Sequence, residues 1–394
     1  MRSSLYAVVI IIACVLSYAV VALIPVHDVI KYPEYWYEVT YLWFFGSIPI
    51  DAIFTIYHCK YVMECKEIGT PKAVIRLSSI KWLVTGTFYS VQYVVWTTHL
   101  GYHQPLPHNA AICAFLQNLI VALSWQWHFP TGLRRNPQFR QRIVAYAFYL
   151  FWSHYVIILT FVIGQNTIPL FPSGYLWLIG LEFWAIKEFN NYVMEKLINK
   201  SAGSNDSYAK GVVTLQLVAY TNLTVVVFIS TVAYQKITAC FIAVDFVMNS
   251  ILTWKTIKEQ HKRVGVMDII SGRAQDMTDQ LLTNLIINES MELLVPLMYV
   301  ASVAVAFYGP NSVNLGNIGL SYWHFENIND IWVYLSGALE MAFADFCLSI
   351  VSPFLVWKFT RINVFKKYKE VAKKFGVTAA ILLPVILNKV RKLF

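Results

Sequence analysis

The sequence predicts an all-α fold: a polytopic transmembrane helical bundle of about ten spans, with the N and C termini cytoplasmic. Three observations carry this expectation. Of 394 residues, 57% are hydrophobic and only 13% are charged, about half the charge typical of a soluble chain. The apolar residues fall in runs of about twenty, the length that crosses a hydrocarbon core. The basic residues collect in alternate gaps between those runs.

The first run, Leu5 to Ile24 after Arg2, is longer than the ~7–15 residues of a signal-peptide core, so it reads as a retained helix. Further spans are expected near 35–57, 78–100, 109–128, 143–164, 173–194, 212–233, 236–255, 284–308 and 331–357. A backbone in lipid has no water to bond to, which leaves helices or closed barrels. Barrel strands are ~10 residues long and alternate in polarity, so runs this long exclude a barrel. Pro25, Pro33, Pro105, Pro107, Pro130, Pro169, Pro172 and Pro310 fall between spans, where a residue without an N–H does least harm.

Charge sets the orientation. With the N terminus inside, 29 of the 31 Lys and Arg residues fall on cytoplasmic segments, Lys187 being counted with the flank after the sixth span. Only Lys31 and Lys236 remain outside. Positive residues are disfavoured for translocation, and an extra or missing span would reverse the pattern beyond it. Two N-x-S triplets, at Asn199 and Asn205, lie in a loop that this orientation makes cytoplasmic. Glycosylation acts only on the other side, and the neighbouring lysines outweigh them.

Two domains of unequal size follow: a bundle over 1–357 and a cytoplasmic segment over 358–394. The latter holds a basic amphipathic stretch with Lys366, Lys367, Lys373 and Lys374, then a short hydrophobic tail from Gly376 to Leu387. Residues 266–283 mix acids with apolar residues at helical spacing, which predicts an interfacial helix leading into the ninth span. Arg134 and Arg135 follow a tryptophan-rich helix end. These two arginines and the four lysines are the candidates for contact with lipid headgroups or phosphate, and membrane lipid is the expected partner. The plainer reading is a positive-inside flank with no lipid specificity. The net charge of +9 is explained by orientation, so nucleic acid is not an expected partner. Cys59 and Cys65 flank a cytoplasmic loop, a reducing setting in which free thiols are expected.

Ionisable residues at membrane depth are costly and usually face a cavity or a partner. The candidates for an ion or substrate pathway are Asp51, Glu182, Asp245, Glu289, Glu292, Glu340 and Asp345, with His154 as a proton relay. These acids have no basic partner in mid-span by sequence, so they are expected to hold protons or to line a cation path. The plainer reading is that each acid bonds a neighbouring helix and holds the bundle together. Asn288, Glu289 and Glu292 share one helix face. Pro296 follows by one turn and frees a backbone carbonyl there, as at the broken helices of many carriers. His99, His103 and His108 sit in a turn with Gly101, Pro105 and Pro107, which does not make a metal site. No nucleotide loop, dinucleotide fingerprint, nucleophile elbow or zincin motif occurs. No catalytic residue, metal or cofactor is therefore expected.

From Asn288 the chain reads Asn-Glu-Ser-Met-Glu-Leu-Leu-Val-Pro-Leu-Met-Tyr, then Ala-Phe-Tyr-Gly-Pro-Asn, then an acid-containing span ending in Trp357-Lys358. This stretch resembles uncharacterised polytopic membrane proteins of unicellular eukaryotes. The resemblance covers under a quarter of the chain and implies no activity, so no residue role comes from it.

Three function classes fit these features. A secondary carrier or channel-like permeation protein, coupled to a cation or proton and moving a small solute or cation, fits the spans, short loops and buried acids. A receptor or scaffold without transport activity fits the basic tail. A membrane-embedded enzyme fits least, because no paired catalytic motif is present.

Overall fold

The computed structural model describes residues 129–167, 170–202, 207–232, 235–264, 273–309, 328–360 and 364–391, with Ser79 and Leu83. The four expected spans before residue 129, and Asp51 with them, lie outside the described residues. Among the described residues every long element is an α-helix and no strand occurs. A short α1, Thr131–Arg135, is followed by α2, Pro137–Thr167, and α3, Leu176–Ser201. Then come α4, Ser207–Val232, α5, Gln235–Val264, and α6, Arg273–Tyr308. The last two are α7, Ile328–Thr360, and α8, Val364–Arg391.

Local chemistry sets several of these ends. Asn136 starts α2 by accepting from the Gln138 and Phe139 amides, at 2.9 and 3.4 Å, and Pro137 takes the first helical position, where its missing N–H costs nothing. At the far end of α3 the Ala202 amide donates back to Ile198 and Asn199, so the helix runs one to two turns beyond the expected end at 194. The interfacial helix expected over 266–283 is, from Arg273 onward, the first part of α6 rather than a separate element.

Among the described residues, three helical stretches are long and apolar enough to cross a membrane: Tyr208–Ser230 in α4, Leu282–Val305 in α6 and Leu335–Phe359 in α7. Their burial ranks them. In α4, 83% of the apolar window is buried, against 39% in α7. A helix that is apolar all round belongs in the middle of a bundle, and α4 packs against α2, α3, α6, α7 and α8.

Contacts fix the directions. Tyr149 meets Tyr220, and Val156 lines a crevice with Thr224 and Val225, so α2 and α4 run parallel. Thr214 reaches Asn284, and Tyr299 lies beside Ser230, so α4 and α6 do too. Gly180 abuts Cys240 while Lys187 bonds Asp245, and Gly337 abuts Thr238 while Asp345 shares a crevice with Asp245. Hence α3, α5 and α7 are mutually parallel. Trp152 donates to Asn190 at 2.7 Å, while Val156, one turn on, meets Phe183, which makes α2 antiparallel to α3. Trp332, near the start of α7, donates to the hydroxyl of Tyr308 at the end of α6. From α2 to α7 the chain reverses direction at each step.

Two of these helices carry large apolar side chains on their outer faces. On α7, Leu339, Phe343, Phe346, Ile350, Phe354 and Trp357 are exposed, while Asp345 and Ser352 are buried along with Leu335, Met341, Leu348 and Val356. On α5, Phe246, Val247, Ile251 and Trp254 are exposed, while Asp245, Asn249 and Thr253 are buried along with Phe241 and Ile257. Water does not favour so many large apolar side chains on an outer face.

The terminal α8 continues through Gly376 and lies on the bundle, with Val364, Val371, Phe375 and Thr378 buried. Phe375 stacks on Tyr208 at 5.4 Å between ring centres, and the Thr378 hydroxyl bonds the Tyr208 hydroxyl at 3.1 Å. Phe375 fits here because position 211 is glycine: a Cβ at Gly211 would overlap its ring.

Candidate functional site

Close helix approaches build the site. Gly180 on α3 lets that helix come near α5, where an added Cβ would meet the Ile237 carbonyl and Cys240 at 3.2 Å. Two turns along, on the same face, Lys187 and Asp245 meet. The Lys187 ammonium donates to Asp245 Oδ1 at 2.5 Å, and both side chains are only 8% exposed. The ammonium also lies 5.5 Å from the centre of the Phe241 ring, a cation–π position. A similar approach at Gly337, under Ile229 and Thr238, seats α7 against α4 and α5 and brings Asp345 beside Asp245.

Around this pair lies a connected polar core. Asn249, one turn beyond Asp245 on α5, donates to Asp245 Oδ2 and to Glu292 Oε2, each at 3.3 Å. Asn288 donates to Glu292 Oε1 at 2.7 Å from one turn earlier on α6. One carboxylate oxygen from each of Asp245, Glu292 and Asp345 lies within 4.8 Å of the other two. Glu289, on the same face as Glu292, is hydrogen-bonded by the buried Ser352 of α7. Glu292 and Asp345 each lie ten residues into their apolar stretches, so the cluster sits near mid-depth of the bundle.

The bonding is incomplete. Among the described residues, Oδ2 of Asp345 and Oε2 of Glu289 meet no hydrogen-bond donor, although the residues are only 4% and 2% exposed. Among the described residues, Asp245, Glu292 and Asp345 share the Lys187 ammonium, and Glu289 lies beside them. Outward from Asp245 and Asp345 a crevice of about 10 Å³ opens between Phe241, Ile242 and Phe246 of α5 and Met341, Ala344 and Leu348 of α7, room for about one water. On the far side of Lys187 a second crevice is lined by Val156, Phe183, Asn190, Thr221 and Thr224, with Thr221 donating to Asn191 at its edge. On α8, burial and then the nearby Glu289 carboxylate hold the Tyr368 phenol above its ordinary range.

Of the sequence-predicted pathway residues, Asp245, Glu289, Glu292 and Asp345 come together. Glu182 and Glu340 do not: both are exposed, on helix faces turned away from the cluster. His154 lies on α2, but its side chain, like the whole of Asp51, falls outside the described residues. Arg134, Arg135, Lys366, Lys373 and Lys374 are exposed, and Lys367 is half-buried beside Glu370 at 3.6 Å.

One expectation is corrected. The acids do not stand without a buried basic partner, because Lys187 is inside the bundle. It was assigned to a cytoplasmic flank because the sixth span was ended at 194. The helix runs to Ser201, which leaves Lys187 near its middle. Lys187, Asn249 and Ser352 were not among the sequence candidates. Asn249 was detectable as a second polar residue one turn from Asp245 in an apolar run. Ser352 carries no such signal.

Compared with known proteins, the chain matches no family model, no curated protein and no solved structure.

Proposed function

We propose that this chain is a multi-pass integral membrane protein acting as a secondary carrier or channel-like permeation protein, coupled to a cation or proton. The supporting observation is a charged, incompletely bonded polar core at mid-depth of a bundle whose α5 and α7 turn apolar side chains outward. Lipid tolerates charge in such a place only where it is paired or serves a path. Carboxylates exceed ammonium groups there, and the excess must be balanced by protons or a bound cation. Pro296 lies one turn past Glu292 within α6 and cannot donate to the Glu292 carbonyl, so a backbone acceptor is freed beside the acids. The ten spans and the cytoplasmic termini belong to the same proposal, supported by the basic-residue pattern and the alternating helix directions.

The test is flux into liposomes holding the purified full chain, under an imposed pH gradient or cation gradient. Asp345→Asn and Glu292→Gln should each reduce the chain-dependent flux at least tenfold. Glu182→Gln and Glu340→Gln, outside the cluster, should leave it within about twofold. Equal flux in all four variants would remove the carrier reading.

A scaffold reading has one observation in its favour: Lys187, Asn249 and Asn288 tie Asp245 and Glu292 across three helices, as interhelical bonds that only hold a bundle together do. Absence of flux for protons and for monovalent and divalent cations, with a well-folded chain, would select it.

A further inference from the structure

We infer that Asp245, Glu292 and Asp345 form a binding site for one hard divalent cation, with Lys187 as a fixed internal counter-charge. The inference rests on reading the cluster as cation-handling machinery, and it names the class of ion.

Donor chemistry narrows the choice first. All three side chains offer carboxylate oxygen, with no His or Cys among them. Hard oxygen donors suit calcium, magnesium and manganese rather than zinc or copper. Charge narrows it next. Three carboxylates against the Lys187 ammonium leave a deficit of two charges, which one divalent ion cancels and one sodium ion does not.

Spacing allows one shared ion. The three oxygens lie within 4.8 Å of one another, and two oxygens bound to the same calcium ion, each about 2.4 Å from it, stand at most about 5 Å apart.

A separate observation points to a ligand. Asp345 is 4% exposed and its Oδ2 meets no donor among the described residues. A buried acceptor left unbonded is costly, and here it belongs to the carboxylate that faces two others. Additional oxygen is at hand: the Asn249 amide already bridges Asp245 and Glu292, and turned over it presents its carbonyl to them.

The experiment is calorimetric titration of the purified full chain in detergent with calcium chloride alone. One ion per chain should bind saturably. Asp345→Asn should weaken binding at least tenfold, and Glu340→Gln should leave it unchanged. Asp345 is chosen because its Oδ2 supports no hydrogen bond, so the fold has least to lose. Should that variant fail to fold, the wild-type melting temperature serves instead: it should rise with calcium concentration and stay flat in sodium of equal ionic strength. No saturable binding, or undiminished binding in Asp345→Asn, overturns the inference. Proton or monovalent-cation flux without calcium binding overturns it while sparing the carrier reading. Calcium binding without flux of any ion upholds the site and removes the carrier.

Discussion

At the scale of single residues, the Lys187–Asp245 pair makes the clearest demand. Breaking a buried pair from one side strands a charge and typically costs about 3–5 kcal/mol. Lys187→Met should therefore lower the melting temperature of the detergent-solubilised chain sharply, and adding Asp245→Asn should recover part of the loss. If the double variant is no more stable than the single one, the two side chains are not energetically linked. Helix geometry separates the acids that join this pair from those that do not. Glu340 and Asp345 are five residues apart, which is about 140° around a helix, so they cannot share a face. Glu182 stands in the same relation to Lys187. That much was legible from spacing alone. Which of the two faces pointed inward was not, because α5 and α7 carry large apolar side chains on their outer as well as their inner faces.

At the scale of elements, the apolar runs located the helices, and the ends were where the reading slipped. Polar residues that gather from Asn190 onward predict an end at 194, yet α3 continues to Ser201 and buries Met194, Ile198 and Ser201. A helix that runs past its apolar stretch shows no break in the chain, only a change in composition. The same applies to α6, whose first turns carry the acids of the expected interfacial segment. The seating of α8 was not legible at all, since it depends on one glycine meeting one ring across more than a hundred residues of sequence. Truncating Phe375 to alanine should cost α8 about 3 kcal/mol of its hold on α4, by the usual penalty for emptying a buried aromatic site. Amides from Val371 to Ala379 should then exchange roughly a hundredfold faster, while those in the middle of α4 stay protected. Uniform acceleration through α4 would mean that α8 is part of the core rather than docked on it.

For the whole molecule, the reversal of direction from α2 to α7 gathers the basic segments that follow α3, α5 and α7 at one end of the bundle. The outer face of α7 offers a direct check on what surrounds it. Cys347 is exposed between Phe343, Phe346 and Ile350. In a chain with its other cysteines replaced, a membrane-impermeant maleimide should label Cys347 only after solubilisation in denaturing detergent. Rapid labelling in intact membranes would place that face in water and undo the lipid-facing assignment.

The distance along the chain between Lys187 and its partner also matters before the protein is complete. Asp245 follows Lys187 by 58 residues, which at ordinary translation speeds is roughly 3–12 s of synthesis. In the proposed topology, α3 leaves the ribosome carrying an ammonium that nothing yet neutralises. Its entry into the bilayer is therefore delayed or shielded until α5 follows, and the two helices go in as a unit. Glu289 waits longer still, for Ser352. A polypeptide released before α7 has, on this account, no partners for these side chains, so the bonds that join four helices also require all four to be made before any of them is settled.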